Sequence, residues 1–186
     1  MKSLLFLRKS MTRKQIQALG ARWSIVDLED AIEPTEKAAA RQHLSQLLQA
    51  GAFAEQKLLV RINGRDSREQ NWNELRDIIH RDIDLVILPM LESADDVTYF
   101  DALLTQAEKW AGLKPGHCKI LCLLERPAAV LDARDIAKAS SRVAALGFGH
   151  HDFFAELGTV PSPSMLAAAR SQIIMAARAA GIKAIE

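Results

Sequence analysis

Four short stretches of this 186-residue chain end in side chains that could do chemistry. "SIVDLED" carries Asp27, Glu29 and Asp30, and "KLLVRIN" carries Arg61 and Asn63. "KILCLLE" ends in Glu125, and "ALGFGHHD" runs through Gly147 and Gly149 to Asp152. Pooled, these are carboxylates and one arginine, with no hydroxyl or thiol placed as a nucleophile. Carboxylate oxygens brought from separate segments suit Mg²⁺ that keeps several of its waters. A planar guanidinium suits a carboxylate or an oxygen that gains negative charge during a reaction. "GFGHHD" has two glycines and no third, and neither a phosphate-binding loop nor a nucleophile elbow occurs.

Each residue also has a plainer use. Arg61 lies between Val60 and Ile62, so it enters a largely buried setting and needs carboxylates or an anionic ligand. Side-chain alternation puts Ile25, Asp27 and Glu29 on one strand face and Leu59, Arg61 and Asn63 on another. A structural Arg–Glu pair between strands two and three and a substrate-binding arginine both satisfy this pattern, and the two uses are compatible. Pro34 in a first helical turn, with Glu33 and Glu36 at the positive helix end, accounts for residues 33–36. It leaves the crowding of Asp27, Glu29 and Asp30 unexplained unless a cation or arginine stands nearby. Glu125 reads equally as a solvated strand terminus, and Asp152 as the N-cap of a helix over "FFAEL". His150 and His151 are adjacent, so they are expected to point apart, whereas metal-binding pairs are spaced as in H-x-x-x-H. A histidine-ligated metal is therefore not expected. His43, His80 and His117 read as solvated surface.

These side chains need elements to position them. Strands are expected at 3–7, 24–29, 57–63, 84–90, 119–125 and 142–148. Helices are expected over 12–20, 35–51, 71–81, 94–112, 127–139 and 163–181, the last ending at a glycine that reads as its C-cap. Regular alternation of this kind means βαβ units and a parallel sheet, whose strands are nearly continuous in hydrophobicity because both faces are buried. A doubly wound open sheet and a (β/α)₈ barrel both fit, and both place ligands at the C-terminal ends of the strands.

The bulk numbers bound the answer. The chain is 49% hydrophobic and 25% charged, with 24 basic and 23 acidic residues, the composition of one soluble globular domain over residues 1–186. No basic face calls for nucleic acid, and no apolar run approaches a membrane span. "MKSLLFLRKS" is too short in apolar residues for a signal-peptide core, so a cytoplasmic location is expected. Cys118 and Cys122 on one strand would stand about 13 Å apart, too far for a disulfide, which fits free thiols in a reducing compartment.

With these residues in hand, the chain resembles the HpcH/HpaI aldolase and citrate lyase β-subunit family, in particular its CitE-like branch. "SLLFL", "IVDLEDAIEPTEKAAAR" (25–41), "LLVRING" (58–64) and "VLDARDIAKASSRVAALGFGHHDFFAELG" (130–158) carry the likeness, and "AARSQIIMAARAAGIKAI" (168–185) extends it. The resemblance implies a (β/α)₈ TIM-barrel type of α/β fold, here with about six βα units and strands 7–8 missing. It implies Mg²⁺ held by Glu125 and Asp152, with Glu125 and Gly149 also lining the substrate. Arg61 would bind the carbonyl or carboxylate end of that substrate, with the acids Glu29 and Asp30 positioning Arg61 and metal-bound water. The reaction implied is cleavage or formation of a C–C bond beside a thioester or keto acid, on malyl-, citramalyl- or citryl-type acyl-CoA or hydroxy-acid substrates. A homo-oligomer, a trimer by the same resemblance, is implied as well.

Three departures qualify this. Relatives often read Pro-Lys where this chain has Pro89-Met90, and a small hydroxyl residue where it has Arg126. The chain also stops at "GIKAIE", where a seventh strand is expected to begin, so an acid from the family's C-terminal segment is expected to be absent. The leading expectation is a Mg²⁺-dependent lyase. The alternative is a catalytically impaired or truncated lyase-like subunit that binds a partner or acyl carrier. A phosphoacceptor module fits poorly, since no lysine closes a late strand.

Overall fold

The apolar runs form strands, and the amphipathic stretches between them form helices. The computed structural model describes residues 5–7, 10–65 and 68–185. Its strands are β1 (Leu5–Leu7), β2 (Trp23–Asp27), β3 (Lys57–Arg61), β4 (Ile83–Leu88), β5 (Lys119–Leu124), β6 (Val143–Phe148) and β7 (Lys183–Ile185). The helices are α1 (Arg13–Ala18), α2 (Lys37–Gln49), α3 (Arg68–Ile78), α4 (Ala94–Trp110), α5 (Pro127–Leu131), α6 (Ala133–Lys138), α7 (His150–Leu157) and α8 (Pro163–Ala179). Residues 3 and 4 of the expected first strand, and Glu186, lie outside the described residues. Six βα units stand as expected, and β7 adds three residues of the seventh strand that was expected to be missing.

Strand order separates the two architectures that spacing left open. The strands follow one another in chain order, β1 to β7, whereas a doubly wound sheet reverses its order at a switch point. The fold is α/β of the (β/α)-barrel type. The chain divides into two compact units, Met1–Val86 with Leu103–Cys118, and Ile87–Ala102 with Lys119–Glu186.

In the first unit β1, β2 and β3 pair in parallel, with Phe6 opposite Ile25, Ile25 opposite Leu59, and Asp27 opposite Arg61. Leu58, Leu59 and Val60 are all buried, as a parallel strand covered on both faces requires. Leu44 and Leu48 of α2 and Leu75 and Ile78 of α3 supply the helix side of this core. The α2 helix stops at Gly51, whose φ of 67° lets its amide and that of Ala52 turn back onto the carbonyls of Leu48 and Leu47.

In the second unit β5, β6 and β7 pair in parallel, with a register shift between Ile120 and Leu121. Ala133, Ile136 and Ala137 of α6 are buried with Ile173 and Ala177 of α8, and the three alanines let these helices pack closely. The single helix expected over 127–139 is broken at Asp132, which leaves the helical region (φ −91°, ψ 9°). Its carboxylate accepts the Ala94 amide at the start of α4 (3.2 Å), one of the donors that a helix N-terminus leaves unpaired. Cys118 and Cys122 are buried free thiols, and burial pushes the Cys122 pKa well up. Among the described residues, no helix is long and apolar enough to cross a membrane.

Candidate active-site residues

Arg61 closes β3 and turns its guanidinium, 15% exposed, into a ring of carboxylates. Nε and Nη2 donate to the two oxygens of Asp27 at 2.9 and 2.6 Å, the bidentate geometry that favours arginine over lysine. Nη1 donates to Asp30 at 3.2 Å and stands 2.8 Å from Glu29 Oε2. The strand-to-strand partner of Arg61 is thus Asp27 and not the glutamate expected, and Glu29 reaches Arg61 from the loop beyond β2 and not from the strand face expected for it. Burial works against charge on both partners. In Asp27 the Arg61 hydrogen bond, helped by the Glu29 amide, overcomes it and holds the carboxyl below its usual range. In Arg61 the Asp27 hydrogen bond overcomes it and raises the guanidinium further. A guanidinium has five N–H donors, and three of those of Arg61 are spent on Asp27 and Asp30.

A second polar group lies behind this loop and escaped the sequence reading in two of its three members. Lys37 Nζ donates to the main-chain oxygens of Leu28 (3.1 Å) and Glu29 (2.9 Å) and to Asn63 Oδ1. Asn63 Nδ2 donates to Leu28 O (3.2 Å) and to Glu74 Oε1 (2.6 Å), and the Asn63 amide donates to Glu74 Oε2 (3.0 Å). Glu74 is 3% exposed. Burial raises its pKa, and the two Asn63 bonds and the charges of Arg41 and Lys37 offset this only in part. A signal for it existed: Asn71, Glu74, Leu75 and Ile78 fall on one helical stripe, so a carboxylate occupies a core-facing position.

The other candidates belong to the second unit. Glu125 follows the last residue of β5, is 2% exposed, and accepts the Met90 amide on Oε2 at 2.9 Å. Met90 makes that bond from a left-handed backbone (φ 53°), a conformation a non-glycine residue adopts at a cost. On another side lies Gly149: a Cβ there would fall 2.6 Å from Glu125 Oε1 and 2.9 Å from its Cδ. Only glycine leaves room for the carboxylate. Asp152 is half-buried in the first turn of α7. It is not the N-cap expected of it, because α7 begins at His150 with Gly149 before it, and no side chain caps that end. His150 and His151 do not point apart; their ring centroids are 4.0 Å from one another at the start of the helix. His43 and His117 are tied to the carbonyls of Met11 and Arg81, so neither is simply solvated.

Among the described residues, no three histidine, cysteine or acidic side chains gather as a ready cage for a metal. What is present fits a hard cation of low protein ligation. Glu125 is a buried carboxylate held from one side by an amide, in a cradle that a Cβ at position 149 would fill. Mg²⁺ is commonly bound by one or two carboxylates plus retained waters, and Glu125 and Asp152 are such donors.

A family model described as HpcH/HpaI aldolase/citrate lyase matches residues 2–186. The chain is 38% identical over 162 residues to citrate lyase subunit beta of Haemophilus influenzae, covering 86% of this chain and 55% of that protein. It is 31% identical over 137 residues to L-malyl-CoA/beta-methylmalyl-CoA lyase of Cereibacter sphaeroides, covering 72% of this chain and 42% of that protein. The chain thus spans about half the length of these curated relatives. Among solved structures, a malate synthase magnesium/glyoxylate complex from Haloferax volcanii matches with a TM-score of 0.82 at 20% identity, over 98% of this chain and 62% of that one. That likeness supports the fold.

Proposed function

The chain belongs to the HpcH/HpaI aldolase/citrate lyase family, and from that premise we propose that it works as a Mg²⁺-dependent carbon–carbon lyase. Its substrates in this reading are CoA thioesters or related hydroxy acids of the malyl, citramalyl or citryl type. One observation carries the proposal: a half-buried arginine at a strand's C-terminal end, fixed by carboxylates, with one Nη2 N–H that none of them takes.

Breaking the bond beside a thioester carbonyl leaves the electron pair as an enolate, so negative charge grows on the carbonyl oxygen. Arg61 meets that oxygen with the Nη2 N–H that Asp27, Glu29 and Asp30 leave unused. Asp27 keeps the guanidinium from turning, so little reorganisation is needed as charge develops. Glu29 and Asp30 flank the same guanidinium and set its direction. Glu125 and Asp152 would hold the divalent cation, and Gly149 keeps the main chain clear of the Glu125 carboxylate. When bound, the cation supplies Lewis-acid stabilisation of negative charge on a substrate oxygen. Two buried free thiols agree with a reducing, cytoplasmic setting, and we read residues 1–186 as belonging to one barrel-type domain that works as a homo-oligomer.

The test is direct. Purified chain is mixed with Mg²⁺ and malyl-, citramalyl- or citryl-CoA, and release of the carbonyl product is followed with and without EDTA. Mg²⁺-dependent release from one of them supports the lyase. The second reading, an impaired lyase-like subunit that binds a partner or acyl carrier, is favoured by Met90 standing where the family resemblance implies a lysine. Binding of Mg²⁺ and acyl-CoA without cleavage would support it and overturn the first.

A further inference from the structure

The loop that follows β2 is gripped from two sides. On one side Asp27 accepts the amides of Glu29 and Ala31 on the same two oxygens that take Arg61. On the other side the main-chain oxygens of Leu28 and Glu29 point at Lys37 and Asn63. Asn63 is itself anchored twice on the buried Glu74, and the Leu28 amide donates to the carbonyl of Arg61 (2.9 Å). The two grips divide the guanidinium between them. Asp27 holds Nε and Nη2 through its own side chain. The Glu29 carboxylate faces Nη1, and the main chain that carries it is held by Asp27 at its amide and by the second grip at its carbonyl.

We infer that Lys37, Asn63 and Glu74 are positioning residues for Arg61, acting as a clamp on the Leu28–Glu29 main chain that aims the Glu29 carboxylate at Nη1. The inference rests on reading Arg61 as the reacting cation, and it names three residues beyond those that face substrate in that reading. Lys37 spends its Nζ donors on two carbonyls and an amide oxygen, so its charge is used to fix a loop. Without it, two carbonyls and Asn63 Oδ1 lose their shared donor. The Glu29 carbonyl then keeps only the Ile32 amide (3.2 Å), and the Glu29 carboxylate shifts at Nη1 while Asp27 keeps its bidentate hold.

The experiment reads the Arg61 guanidinium itself in ¹³C,¹⁵N-arginine-labelled chain, without substrate, the resonances being assigned by their loss in Arg61→Lys. Lys37 lines a cavity of about 390 Å³, so Lys37→Met has room to fold, and Glu74→Gln keeps the buried side chain's size. Lys57→Met is the control, since it removes a lysine paired with Asp84 at the opposite end of β3. The expected result is that Lys37→Met and Glu74→Gln each move and broaden the Arg61 Nη1 resonance, leave Nε in place, and that Lys57→Met does neither. A clamp that merely stabilised the fold would lower the melting temperature and leave Nη1 unmoved, and that result overturns the inference. Should one variant not fold, the other decides by the same criterion. Turnover of Arg61→Lys tests the underlying reading separately, so either can fail alone.

Discussion

Asp27 and Arg61 are register partners on adjacent parallel strands, joined by two N–H···O bonds of 2.9 and 2.6 Å. The same two carboxylate oxygens accept the amides of Glu29 and Ala31. One side chain therefore folds the loop that carries the other acids and fixes the guanidinium those acids surround.

Asp27→Asn is expected to cost about 3 kcal/mol, because it leaves a mostly buried guanidinium without its carboxylate. The pH dependence has a definite sign. A carboxyl whose pKa is depressed by folding contributes stability above its unfolded value of about 3.9 and loses it as pH falls through the folded value. Urea titrations should show wild type losing this contribution below about pH 4, with a flatter acid limb in the variant. Parallel acid limbs would contradict the assignment.

Glu74 carries the opposite sign. Burial raises its pKa, so the folded chain binds this proton more tightly than the unfolded one. Stability from this group then falls as pH rises from the unfolded value of about 4.3 through the raised folded value. The difference in stability between wild type and Glu74→Gln should shift against wild type across that window. A difference that does not change with pH would remove the effect.

Gly149→Ala pushes a Cβ into the Glu125 carboxylate. Overpacking of this kind costs about 1–3 kcal/mol, and displacing a ligand's support weakens metal binding about 10- to 100-fold. Calorimetric titration with Mg²⁺ checks the second figure, and an unchanged affinity would detach Gly149 from the ion's site.

Met90→Val places a β-branched residue at a φ of 53° and should cost about 2 kcal/mol. Met90→Gly, which accepts that φ freely, should cost nothing or stabilise. Equal losses in chemical denaturation would mean that the Met90 side chain matters and its backbone does not.

Much of this was legible from alternation. Two apolar runs ending in acids and in Arg61 sufficed to expect an arginine–carboxylate pair between the strands, but the partner expected was a glutamate, and the register instead sets Asp27 opposite Arg61. Glu29 was assigned to a strand face, but β2 ends at Asp27, since the Asp27 carboxylate captures the next amides and turns the chain. Asp132 was unreadable as a helix break because its partner, the Ala94 amide, is distant in sequence. The left-handed Met90 had no signal either, since no residue type announces it. Glu74 could have been found: a carboxylate on the buried stripe of an amphipathic helix always demands a donor.

The central claim is that Arg61 stabilises the negative charge developing on the substrate's carbonyl oxygen. The measurement is turnover of Arg61→Lys against wild type, on the acyl-CoA that the Mg²⁺-loaded chain cleaves best, with folding checked by melting. A folded variant slowed by at least about a hundredfold is expected, the effect of losing one charge-stabilising donor. A folded variant with near-wild-type turnover would contradict the account.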